Sequence, residues 1–191
     1  MKFQINQKGG GTLKLKLWPL FFLILFGCAT VPIKTYDEKV SEWKSYKDVA
    51  NWMSLHYSYD WKRLKEAGEK YTYDNPMPIR TPKETFELKS GLCWDAARFA
   101  KETLKRIDPS YEAEIVFIHR ENIDHFVCSF KKDSKLYIMD YGASYRSLIG
   151  VHGPYNSLEE YKKFIERNGP PDLKVLSVTF GWPEGMKKAI K

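Results

Sequence analysis

Beyond residue 27 the chain contains no glutamine, so no glutamine amide is available to a site in its body. Cysteine is scarce: Cys28, Cys93 and Cys128 are the only three, and no two form a Cys-x-x-Cys pair. His56, His119 and His152 stand at no metal-ligand spacing, so neither a metal nor another cofactor is expected. Repeats and low-complexity tracts are missing, which excludes solenoids and linker-like chains. Acidic residues are absent before residue 28, where Lys2, Lys8, Lys14 and Lys16 stand alone. That asymmetry explains most of the net +7 from 31 Lys+Arg and 24 Asp+Glu. Residues 28–191 hold 27 basic against 24 acidic side chains, about +3. This balance gives no support for nucleic-acid binding. What is present is a globular composition, 43% hydrophobic and 15% aromatic over 191 residues, which suits one domain with an appendage.

The appendage is N-terminal. A basic stretch leads into Leu17–Phe26, an almost unbroken apolar run interrupted by Pro19. The charge-free segment, Leu17 to Ile33, is shorter than the ~20 apolar residues of a spanning helix. The pattern is that of a secretory signal. It ends in Leu25-Phe26-Gly27-Cys28, which resembles the lipobox of bacterial lipoproteins, although Phe26 stands where a small residue is usual. The resemblance implies that residues 1–27 are a signal peptide and that Cys28 carries the lipid. An uncleaved anchor or an ordinary signal is the alternative. Either way the domain is expected in the bacterial cell envelope, outside the cytoplasm and on the periplasmic side in a Gram-negative cell. There the missing Asp at position 29 favours the outer membrane by analogy. Residues 28–40 are expected to be a tether and residues 41–191 the domain.

Within the domain, apolar spacing predicts helices over Ser45–His56, Trp61–Ala67, Leu92–Ile107 and Ser157–Arg167. Strands are predicted at Glu114–His119, His125–Phe130, Leu136–Tyr141 and Leu173–Phe180. Gly150-Val-His-Gly153 is too short a signal for a phosphate loop. The order gives an α+β domain with a mostly antiparallel sheet.

The chemical signal is Ser90-Gly-Leu-Cys-Trp-Asp-Ala-Ala97. A glycine turn delivers Cys93 to the first turn of a helix, where free N–H groups and the helix dipole favour a thiolate and an oxyanion. A cysteine nucleophile also needs a base and a group that orients it. His125 and Asp140 fall on the two strands of a hairpin. With Lys132-Asp133 as a two-residue turn they stand directly opposed; with Asp133-Ser134 they are diagonal neighbours. Both registers leave them within side-chain reach. Cys128 alternates with His125, so it is expected to be a buried small hydrophobe on the far face.

The Cys block, Asp124-His125-Phe126-Val127 and Leu136-Tyr-Ile-Met-Asp140-Tyr together resemble the transglutaminase-like superfamily, and within it the bacterial transglutaminase-like cysteine peptidases. The resemblance covers roughly residues 45–142. It implies a papain/transglutaminase-like fold, with the cysteine opening a central helix packed on the sheet, and a Cys93–His125–Asp140 triad. It implies acyl transfer from a peptide or amide carbonyl to water or to an amine. Trp94 and Tyr141 are the candidate substrate-lining side chains, with core packing the alternative for Trp94. Without glutamine, the oxyanion hole must pair the Cys93 N–H with another backbone N–H or with a Trp, Tyr or Asn side chain. Tyr57, Tyr59, Trp61, Tyr71 and Tyr73 either wall a groove or pack on the Cys helix. The expected partners are a peptide or protein substrate, with cell-wall peptide one option, and the membrane through the lipid. The alternative function is a non-enzymatic binding or assembly lipoprotein that keeps the fold; crosslinking is a third.

Overall fold

The computed structural model describes residues 34–72 and 75–190. The leader, Cys28 and Tyr73 lie outside the described residues.

The first helix, α1 (Tyr36–Glu42), begins where the sequence encodes a capping box. The Glu38 N–H donates to Thr35 Oγ1 at 3.3 Å, and the Thr35 N–H donates to the Glu38 carboxylate at 2.8 Å. Tyr36 and Val40 are buried. The Tyr36 ring meets Phe86 and Phe99 at 5.8 and 6.0 Å, and its hydroxyl bonds Thr103 at 2.9 Å. The tether expected over residues 28–40 is therefore corrected over its last part. From Tyr36 onward this segment is a helix with one face in the core, because two apolar side chains one helical turn apart gain by burial.

Next come α2 (Tyr46–His56), β1 (Ser58–Tyr59), α3 (Trp61–Lys70), α4 (Pro82–Leu88) and β2 (Ser90–Gly91). They lead into α5 (Cys93–Ile107), the longest described helix. Its stripe of Ala96, Phe99, Ala100 and Leu104 is buried with Trp52, Phe86, Cys128 and Phe130 in one cluster. Burial of each large side chain there contributes about 1.5–3 kcal/mol. Trp52 joins the helices, stacking on Phe86 at 4.9 Å and meeting Phe99 at 4.8 Å.

The sheet is built from β3 (Glu114–Arg120), β4 (His125–Lys132), β5 (Lys135–Asp140), β6 (Gly150–Tyr155) and β7 (Val175–Phe180). Its order is β6-β5-β4-β3-β7, and every pairing is antiparallel. α5 covers one face, and α6 (Leu158–Asn168) covers the other through Tyr161 and Ile165. A short α7 (Glu184–Lys187) closes the chain. β6 is a strand that the sequence reading missed. Gly150, Gly153 and Pro154 read as loop, but the strand lies at a sheet edge, where glycine and proline are tolerated.

Candidate active site

Three pieces of chain set the position of Cys93. β1 pairs in parallel with β2, aligning Tyr59 with Gly91, and the Asp60 N–H donates to the Gly91 carbonyl at 2.9 Å. Gly91 must be glycine, because a Cβ there would lie 2.7 Å from the Asp95 Cβ and 3.0 Å from the Tyr57 hydroxyl oxygen. The fully buried Asp95 carboxylate holds the turn from within. It accepts from the Leu92 N–H at 2.8 Å and from the Arg80 N–H at 2.7 Å, and it lies 3.4 Å from Arg63 Nε. Burial raises the Asp95 pKa, against the lowering by those N–H donors and by the Arg63 and Arg80 charges. The Tyr57 hydroxyl completes the clamp by donating to the Leu92 carbonyl at 2.9 Å.

His125 arrives from the sheet. β4 and β5 pair Lys132 with Lys135 and Cys128 with Met139, around an Asp133-Ser134 turn with φ of 51° and 59°. Both turn residues are left-handed, as a type I′ hairpin requires. Of the two registers open to the sequence, this one places Asp140 diagonal to His125. The diagonal closes: His125 Nε2 and Asp140 Oδ2 lie 2.8 Å apart, and both side chains are buried. The other Asp140 oxygen accepts the Gly142 N–H at 3.0 Å. Cys93 acts on the same imidazole, raising its pKa. With Nε2 engaged by Asp140, Nδ1 is the nitrogen left for the thiol. Burial, the largest influence on His125, pushes its pKa down. The charge and hydrogen bond of Asp140, followed by those of Cys93, outweigh it and raise His125 to about 9.

Gly142 brings the third segment onto Cys93. A Cβ at that position would fall 2.5 Å from the Cys93 Cα, so only glycine lets the chain beyond β5 lie directly on the start of α5. Sequence reasoning gave no role to Gly142 or Asp95. Asp95 was legible as a carboxylate three residues after Leu92, the spacing of a helix cap.

The remaining site residues are placed as follows. Trp94 packs edge-on against Phe126 at 6.3 Å and lines an open cleft of about 600 Å³ with Phe117, Ile123 and Met186. Its indole nitrogen is sealed without an acceptor among the described residues. Tyr141 is half-buried against the α5 cluster, and burial raises its hydroxyl pKa. Cys128 is a free thiol, fully buried, and burial pushes its pKa far up. It lies with Ala96 and Phe99 under α5, on the face opposite to that of Val127. Tyr59 is half-buried on β1 and senses both Cys93 and Asp140. Burial first, then the Cys93 charge, raise its hydroxyl above the usual phenol value.

A cysteine opening a buried helix, facing a His–Asp pair on neighbouring antiparallel strands, defines a thiol-centred α+β architecture. The transglutaminase-like domain family matches residues 28–163, and the chain belongs to that family. No curated protein matches the sequence. Among solved structures, a TGase is 14% identical with a TM-score of 0.37, covering 65% of this chain and 33% of its own, so this chain spans a third of that protein's length. Legionella pneumophila LapG is 16% identical with a TM-score of 0.32, covering 78% of this chain and 86% of its own.

Proposed function

We infer that this is a thiol enzyme transferring the acyl group of a peptide or amide, with Cys93 as nucleophile, His125 as base and Asp140 as its orienting carboxylate. The observation that carries the reading is the buried His125–Asp140 hydrogen bond beside Cys93 at the N-terminus of α5, with Cys93 among the groups that raise the His125 pKa. His125, made strongly basic by Asp140, draws the thiol proton through Nδ1. The positive end of α5 stabilises the sulfur anion, which attacks the substrate carbonyl. The resulting oxyanion accepts from the Cys93 N–H and from the Tyr59 hydroxyl. β1–β2 pairing sets Tyr59 beside the residues that lead into Cys93, and its raised pKa keeps it a donor. His125 returns its proton to the leaving amine, and a thioester remains on Cys93. Water then releases the acid, or an amine takes the acyl group. The apolar cleft lined by Trp94 receives a substrate side chain next to the scissile bond.

The same reading makes the protein an envelope enzyme, lipid-anchored through Cys28 and facing away from the cytoplasm. It rests on the basic leader and the lipobox-like Leu25–Cys28. An active-site-directed thiol probe tests the enzyme. Cys93 is expected to label selectively, and labelling is expected to vanish in His125→Ala while Cys128 stays unlabelled. A folded, reduced protein that fails to label at Cys93 belongs instead to the binding or assembly class.

A further inference from the structure

Arg120 ends β3 and is only 7% exposed. A buried guanidinium is ordinarily matched by a carboxylate, because an uncompensated buried charge is strongly unfavourable. Arg120 has no such match among the described residues. Its Nε is sealed from solvent without an acceptor. Of the neighbouring acids, Glu121 pairs with Lys174 at 3.3 Å and Asp124 with His119 at 2.7 Å, while Asp172 borders the same cleft without forming an ion pair with Arg120. Asp124 meets Arg120 only at its backbone N–H, at 3.4 Å.

The side chain borders a cleft of about 80 Å³ that it shares with Asn122, Ile123, Ser144, Tyr145 and Asp172. These segments flank the proposed catalytic pair: residues 120–123 lead into His125, and Ser144-Tyr145 follow Asp140 and Gly142. On β3, Arg120 shares a face with Ile118, which pairs directly with His125. The charge of Arg120 is felt at the hydroxyls of Tyr59 and Tyr161, and both also feel Asp140. A cation without an ion-pair partner among the described residues thus faces a small cleft formed by segments that adjoin His125 and Asp140 in the chain.

We propose that the Arg120 cleft is a carboxylate subsite, binding a carboxylate of the peptide whose carbonyl Cys93 attacks. The proposal rests on the acyl-transfer reading above. A planar carboxylate fits the guanidinium fork. Glu121 and Asp172 line the cleft with a single Lys174, a balance that disfavours a doubly charged phosphate more than a singly charged carboxylate. The carboxylate belongs to an acidic side chain or to a free C-terminus of the substrate.

Three peptides test the subsite against Cys93→Ala protein, in which no turnover occurs. They are acetyl-Ala-Ala-Ala with a free C-terminus, its C-terminal amide, and acetyl-Ala-Glu-Ala amide. The readouts are the NMR resonance of the Arg120 Nε–H and the Kd. At least one carboxylate peptide is expected to move that resonance and to bind about tenfold or more tighter than the neutral amide. Which of the two does so separates a C-terminal from a side-chain carboxylate. Adding Arg120→Met is expected to erase the preference, and Arg120→Lys, which keeps the charge without the fork, to reduce it. Arg120→Met exchanges a buried ion for an apolar chain of similar length, a change that folded proteins generally accept. Equal affinity for the three peptides, an unmoved Nε–H resonance, or a preference that survives Arg120→Met overturns the proposal. Thiol labelling of Cys93 in the wild-type protein decides the enzyme reading separately. Failed labelling with an intact carboxylate preference overturns catalysis and leaves the subsite standing.

Discussion

At the residue scale, the site turns on how Asp140 sets the state of His125. Burial alone would leave the imidazole neutral at physiological pH; Asp140, with a further contribution from Cys93, reverses this and raises the pKa from 6.5 to about 9. A group whose folded pKa exceeds its unfolded value stabilises the fold fully below the unfolded pKa, here 6.5, and loses that contribution as the pH rises through about 9. The same titration removes the proton that the leaving amine needs. The alkaline limb of kcat/KM is therefore expected near pH 9, and Asp140→Asn is expected to move it toward neutrality while lowering kcat. A pH–rate profile of both proteins checks this, and an unmoved limb in the variant would show that Asp140 does not govern His125. Tyr59 makes a second residue-scale prediction. Tyr59→Phe removes one oxyanion donor and is expected to lower kcat about 100-fold. The rate of Cys93 alkylation, which forms no tetrahedral oxyanion, is expected to stay near wild type. A parallel loss in both would make Tyr59 a packing residue.

At the scale of elements, the start of α5 is held by a carboxylate that does no chemistry. Asp95 receives one N–H on each oxygen and lies against Arg63, all out of water. Asparagine would turn an NH2 group against one of those donors and leave Arg63 without its counter-charge. Asp95→Asn is expected to cost about 2–4 kcal/mol in denaturant unfolding. The Cys93 alkylation rate is expected to fall with it, since the turn that aims the thiol loosens. A variant as stable as wild type would mean that the buried charge carries no net benefit. The β4–β5 hairpin works similarly at longer range: the Asp133-Ser134 turn sets the register, and the register sets the His125–Asp140 diagonal.

At the scale of the whole molecule, the described chain centres on a five-stranded sheet between α5 and α6, with the candidate site at the sheet end where β4 begins and β5 finishes. Two clefts flank the turn between β3 and β4, one apolar beside Trp94 and one bordered by Arg120. A substrate crossing that turn would present an apolar group to the first and a carboxylate to the second. The proposed lipid anchor belongs to this scale as well. Cys28→Ser is expected to abolish lipidation, leaving the leader retained or processed elsewhere, with mass spectrometry of the mature N-terminus as the check. A variant that still partitions into detergent with an unchanged N-terminus contradicts an anchor at Cys28.

Local pattern by itself determined the α5 helix, the hairpin strands and the positions of Cys93, His125 and Asp140. Helical and strand periodicities, caps and turn residues act over a few neighbours and are written in order along the chain. The sequence narrowed the hairpin to two registers, and only the backbone conformation of Asp133 and Ser134 chose between them. Edge position made β6 a strand despite its glycines and proline. Packing against Phe86 and Phe99 made α1 core where a tether was expected. Gly142 against Cys93, Tyr59 beside Gly91 and the unmatched Arg120 are contacts between residues distant in sequence. No periodicity encodes such contacts, because they exist only once separate segments close on a common core.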